Sequence, residues 1–203
     1  MSNDEAQAIP GAAGMPDGLV HLLLERYREP HRRYHDDRHL AAVLAAVELL
    51  GDHADDLEAV RLAAWFHDAA YEPTRSDNEE VSAQLAEGLL PLFDVPPPRI
   101  AEVARLVRLT GEHAPTADDA NGDVLCDADL AVLAGDPDAY ADYAAGIRTE
   151  YVHVDDADFN RERGTILREL LARPRLFHTD RAYTQWEKRA RANIAVELQL
   201  LNA

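Results

Sequence analysis

Asp56-Leu57-Glu58-Ala59-Val60-Arg61-Leu62-Ala63-Ala64-Trp65-Phe66-His67-Asp68-Ala69-Ala70-Tyr71 is the stretch that decides how this chain reads. Leu57, Val60, Ala64 and the Trp65-Phe66 pair recur at helical spacing, which predicts an amphipathic helix from about Asp56 to Tyr71, closed by Pro73. Inside that apolar run stands the adjacent pair His67-Asp68. Burying an ionised carboxylate among such neighbours is costly unless it is paired or bound to a cation. A structural His-Asp or Asp-Arg contact would satisfy it. So would a metal ion, because neighbouring helical positions differ by about 100° and their side chains can converge on one ion beside the helix.

The flanking sequence repeats the helical pattern. Leu19, Leu22, Leu23 and Arg26 begin a helix that Pro30 must end or kink, and Asp36 or Asp37 can cap a second running through Leu40, Val43, Leu44 and Val47 to a C′ glycine at Gly51. Ser76 with Glu79, or Asp77 with Glu80, offers a capping box for a helix carrying Val81, Leu85, Leu89 and Leu90. After Pro96-Pro97-Pro98 comes a helix with Ile100, Val103 and Val107, then a polar stretch from Gly111 to Asp123 that reads as the longest loop. A short apolar segment starts at Val124 and ends by Gly135. Three further stripes follow: Tyr140, Tyr143, Ile147 and Tyr151; then Phe159, Ile166, Leu167 and Leu170; then Tyr183, Trp186, Ile194, Leu198 and Leu201. Strand-period alternation and internal repeats are missing, so the expectation is all-α: one bundle of about eight or nine helices over 18–203, preceded by a disordered leader over 1–17.

Composition removes several function classes. The 203 residues carry 20 Lys plus Arg against 38 Asp plus Glu, a formal charge of −18, which disfavours long nucleic acids and anionic membranes as partners. Cys126 is the only cysteine, so there is no disulfide framework, cysteine zinc knuckle or CxxC pair. Lys188 is the only lysine, and no GxxxxGK phosphate loop exists. Neither a signal peptide nor a membrane-spanning run is visible, making a cytoplasmic location the expectation.

Two more segments supply ligands of the same chemical type as His67-Asp68. Upstream, Tyr34-His35-Asp36-Asp37-Arg38-His39-Leu40 places His39 in the first turn of a helix; downstream, Leu125-Cys126-Asp127-Ala128-Asp129-Leu130 embeds two carboxylates among apolar residues. Imidazole plus carboxylate suits a borderline or hard divalent ion such as Mn, Fe, Ni, Co or Zn. His39, then His67-Asp68 28 residues on, then Asp129 about 60 residues further resembles the H…HD…D signature of the HD-domain superfamily of metal-dependent phosphohydrolases. More narrowly, Trp65-Phe66-His67-Asp68-Ala69, Asp77-Asn78-Glu79 with Ser82-Ala83, Asp127-Ala128-Asp129-Leu130 and Arg148 with Glu150-Tyr151 look like a small branch of predicted HD phosphohydrolases, over about Tyr27 to Leu201.

The resemblance implies an HD-type helical fold in which His39, His67, Asp68 and Asp129 hold a divalent metal (Mn, Mg, Fe, Ni, Co or Zn). Asp68 would also orient or deprotonate the attacking water. Asp127 competes with Asp129 for the last position; the family's aspartate commonly follows an alanine, which favours Asp129 and leaves Asp127 as a helix cap. His35 and His113 are candidates for a second ion or an outer shell. Glu79 is either a capping-box residue or, with Asn78, part of the pocket, and Arg38 and Arg148 are candidate phosphate contacts. The implied activity is hydrolysis of a small phosphate ester or anhydride, such as a nucleotide. The alternatives are an HD-fold di-iron oxygenase and a non-catalytic helical module that binds a nucleotide or protein.

Overall fold

A computed structural model describes residues 15–201, and among them the fold is all-α, as the sequence predicts. Nine α-helices follow one another: α1 (Asp17–Tyr27), α2 (Asp37–Leu50), α3 (Leu57–Phe66), α4 (Asn78–Leu89), α5 (Pro97–Leu109), α6 (Ala120–Asp129), α7 (Pro137–Glu150), α8 (Asp156–Ala172) and α9 (Asp180–Leu201). Short 3-10 turns extend α2 (Gly51–His53), α4 (Leu90–Phe93) and α6 (Leu130–Ala134). Most of the expected leader lies outside the described residues; its last member, Asp17, already belongs to α1. No helix among the described residues is long and apolar enough to cross a membrane.

The core is one continuous cluster centred on α2, α3 and α5, with Tyr27, Leu40, Leu44, Trp65, Phe66 and Phe177 fully enclosed. α2, α3 and α6 pack against one another, so the three segments carrying the candidate ligands meet at one end of the bundle. The expected cap of α2 forms at Asp36. Asp36 accepts from the N–H groups of Arg38 and His39, which fixes His39 in the first turn of α2.

Four local expectations need correction. Helix α3 stops at Phe66 instead of running to Tyr71, and His67 is its C-cap. No glycine ends it; tertiary partners do. His67 Nδ1 donates to the Ala64 carbonyl at 2.7 Å, Asp68 N–H donates to Tyr27 Oη, and the buried Arg32 guanidinium donates to the carbonyls of Asp68 and Ala69. Ser82 Oγ completes the turn by accepting from Ala70 N–H and donating to Ala70 O. Backbone groups past a helix end need such partners when buried. Second, the Gly111–Asp123 loop is shorter than expected, because α6 begins at Ala120 under an Asp119 cap. Third, Gly51 is not left-handed: it continues helically at φ −56°, and a Cβ there would lie 2.9 Å from Leu57 Cδ2, so the Leu57 side chain would have to shift. Fourth, the capping box at α4 does not form. Asp77 occupies the N-cap but gives its carboxylate to Arg75, and Glu80 pairs with Arg108.

Candidate metal centre

His39 from the start of α2, His67 from the end of α3 and Asp129 from the end of α6 converge into a group that could hold a metal ion. The two imidazoles face each other through Nε2 atoms 3.1 Å apart. Asp129 Oδ1 lies 3.2 Å from His39 Nε2 and 3.6 Å from His67 Nε2, and Asp68 Oδ2 lies 3.5 Å and 3.1 Å from the same nitrogens. Donors bound to a common ion at about 2.0–2.2 Å are separated by about 2.8–3.6 Å at octahedral or tetrahedral angles, so these spacings match the edges of a coordination shell. Asp68 reaches both imidazoles, while the tightest mutual group is His39, His67 and Asp129.

The hydrogen-bond pattern around His67 is that of a ligand. A carbonyl can only accept, so the ring nitrogen facing Ala64 O carries the hydrogen, and Nε2 is the atom left facing the cluster. Electrostatics agree. Burial pushes His39 down, yet the Asp129 and Asp68 carboxylates overcome it and raise the imidazole to about 10. His67 is raised in the same way, with burial opposing and Asp68 and Asp129 prevailing. Burial pushes both carboxylates up, but the facing imidazoles hold Asp68 and Asp129 well below the usual carboxylate range. Two half-buried carboxylates therefore stay ionised and demand positive charge, supplied by protons or by a cation.

Of the remaining candidates, His113 and His35 come close to the cluster. His113 Nε2 is 2.8 Å from Asp129 Oδ2, the oxygen turned away from His39 and His67. His113 itself adopts φ 47°, a left-handed conformation in which its loop is pinned by Arg173 donating to His113 O. His35 precedes the Asp36 cap and is therefore outside α2, so a helical pairing with His39 does not arise; its ring meets the His39 ring edge-on with centroids 5.7 Å apart.

Other assignments change. Asp127 points away from the cluster: fully buried, it accepts from the N–H groups of His178 and Thr179 just ahead of α9. It therefore anchors the entry to another helix and does not cap its own. Replacing Asp127 with Ala is expected to destabilise the protein by about 1–3 kcal/mol in urea titrations, by leaving buried donors unpaired, without changing the metal stoichiometry. Arg148 is committed to the Tyr151 and Val154 carbonyls and to Asp156, and its guanidinium lies 4.7 Å from the Phe159 ring centre, so it braces a loop instead of offering itself to phosphate. Arg38 lies beside His39 and Asp129 in a cavity of about 540 Å³, but its exposed guanidinium is tied to Asp36. Glu79, in the first turn of α4, packs beside Gly111, and Asn78 staples itself to the backbone of Glu72.

Glu150 is the residue whose role the sequence did not reveal. Its Oε1 accepts from three successive backbone N–H groups, those of Arg33, Tyr34 and His35, and its Oε2 meets His35 Nδ1 at 2.7 Å and the Tyr71 hydroxyl at 2.9 Å. The carboxylate at the end of α7 thus fixes the loop that leads into His39. Burial opposes ionisation of Glu150, but His35 and the backbone donors hold it down at about 2. No family model matches the chain, and no curated protein or solved structure matches it.

Proposed function

We propose that the protein is a metal-dependent phosphohydrolase of the HD type. The observation that supports it is the pair of buried imidazole Nε2 atoms 3.1 Å apart, flanked by two ionised carboxylates at 3.1–3.6 Å. The donor set suits a divalent cation, held by His39, His67, Asp129 and Asp68. A bound divalent cation would supply acidified water and polarise a phosphoryl oxygen. The chain's own residues do the rest. The Asp68 side chain is partly open to solvent and its carboxylate can take the proton of an attacking water, while Ala64 O and His113 hold the His67 ring and the Asp129 carboxylate in place. Water oxygen bonds to phosphorus, the P–O ester bond breaks, and the alcohol departs with a proton.

The test is elemental analysis of the purified protein, followed by phosphatase assays on metal-stripped protein replenished with Mn, Mg, Co or Ni. Turnover of a phosphate monoester is expected, falling at least about 10²-fold in Asp68→Ala, the lower bound for loss of a general base. Equal turnover in wild type and Asp68→Ala with every metal would sink the reading.

A second reading draws on Asp129, whose two oxygens face different imidazoles: Oδ1 towards His39 and His67, Oδ2 towards His113. Asp129, His113 and His35 would then hold a second ion, and two irons would supply the O₂ chemistry of a di-iron oxygenase. Two irons per chain together with O₂ consumption would favour it; a single ion and O₂-independent hydrolysis would reject it.

A further inference from the structure

The cavity that opens onto His35, His113 and Asp129 has a volume of about 370 Å³ and a mostly apolar lining. Its other walls come from the 3-10 turn after α6 and from α7 and α8, where Val132, Tyr143, Ile147, Tyr151, Phe159 and Ile166 face the space. One cation lines it, and that cation is already engaged. Arg163 donates through Nε to Glu197 Oε1 at 2.9 Å and through Nη2 to the Tyr143 hydroxyl at 2.8 Å, with its guanidinium 5.1 Å from the Tyr143 ring centre. Its side chain is 10% exposed and that of Glu197 is 9% exposed, so recruiting Arg163 to a phosphate would strand a buried carboxylate. Glu162 adds negative charge at the rim, where its side chain is 69% exposed. The chamber is therefore unsuited to a second or third phosphate, and apolar side chains make up most of its walls.

We propose that this chamber receives the apolar alcohol part of a phosphate monoester whose single phosphate sits at the His39–His67–Asp129 cluster, an assignment that rests on the phosphohydrolase reading above. At roughly 30 Å³ per water-sized group, the space accommodates an alkyl or aryl group of about a dozen heavy atoms. Asp129 belongs both to the cluster and to the chamber wall, so the ester substituent of a phosphate held at the cluster can enter the chamber. Binding selects for apolar surface, and the chemistry remains the addition of water across the P–O ester bond, releasing the alcohol with a proton.

The test uses the full chain loaded with Mn and a homologous series of n-alkyl phosphates from methyl to octyl, with glycerol phosphate and ATP as polar comparators. Each buried methylene is expected to raise kcat/KM about fourfold until the chamber fills, so hexyl phosphate should exceed methyl phosphate by about two to three orders of magnitude. Calorimetric binding of hexylphosphonate against methylphosphonate, which involves no turnover, should show the same ordering. Phe159 is too deeply packed for a clean variant, so Ile166→Asn, at the exposed mouth, is the probe: it should flatten the chain-length slope while the thermal midpoint stays that of wild type. Hydrolysis across the series with no dependence on chain length would overturn the chamber assignment and leave the hydrolase reading intact. Absence of turnover with every ester, while hexylphosphonate still outbinds methylphosphonate, would overturn the hydrolase reading and the substrate class with it.

Discussion

Asp129→Asn should abolish stoichiometric binding of a divalent ion and at the same time destabilise the metal-free protein below neutral pH. Loss of a hydrogen-bonding partner behind a ligand already weakens metal sites about 10–100-fold, so removing a direct ligand's charge is expected to exceed about 100-fold. The second effect follows from His39. Its folded pKa of about 10 lies above the ordinary value of 6.5, raised by Asp129 and Asp68 against burial. A raised histidine contributes stability that is fully present below the unfolded value of about 6.5 and is lost as pH climbs through the folded value. In metal-free wild type that contribution should therefore fade between about pH 6.5 and 10, and Asp129→Asn should lose a large part of it. Metal and proton compete for the same nitrogen. Binding at neutral pH should release at least one proton, and apparent affinity should drop about tenfold for each pH unit below the folded pKa. Calorimetry in buffers of different ionisation enthalpy counts those protons directly; a proton count of zero would contradict the charge assignment.

Glu150→Ala should unfold the approach to the site. The substitution leaves the N–H groups of Arg33, Tyr34 and His35, His35 Nδ1 and the Tyr71 hydroxyl without their acceptor. Breaking a buried charged hub of this kind typically costs about 3–5 kcal/mol. At about 2–4 °C per kcal/mol for a chain of this size, the melting temperature should fall by roughly 6–20 °C. Glu150 also has a pH signature. Its folded value of about 2 lies below the ordinary 4.5, so its contribution is present above about pH 4.5 and is lost as pH falls through about 2. Wild type and Glu150→Gln, compared by urea titration, should therefore differ most above pH 4.5 and converge as pH falls towards about 2. A difference that is constant across that window would mean that the carboxylate's charge is not what holds the loop.

The helices were legible because apolar periodicity is a local signal, and so were the segments that carry His39, His67, Asp68 and Asp129, because each breaks an apolar pattern with a group that needs a partner. The end of α3 was not legible. Nothing in Phe66-His67-Asp68 resembles a stop, since the termination is imposed by Tyr27, Arg32 and Ser82 from distant parts of the chain. Asp127 and Asp129 look alike in sequence, and two positions of a helix separate them by more than half a turn, so packing sends Asp127 to the entry of α9 and Asp129 to the cluster. Glu150 was hidden for a related reason. A glutamate at the end of a helix is ordinarily solvated, and its task depends on a loop 115 residues or more away in sequence. Arg148, two residues earlier, has a shape suited to phosphate, yet the carbonyls of its own following turn claim it.

We propose that His39, His67, Asp68 and Asp129 together hold a divalent ion, which anomalous diffraction from crystals of the full chain grown with Mn would locate. One strong peak is expected about 2.0–2.4 Å from His39 Nε2, His67 Nε2, Asp129 Oδ1 and Asp68 Oδ2. A well-ordered cluster with no peak, or an ion bound elsewhere while His39 and His67 still face each other at hydrogen-bond distance, would contradict it.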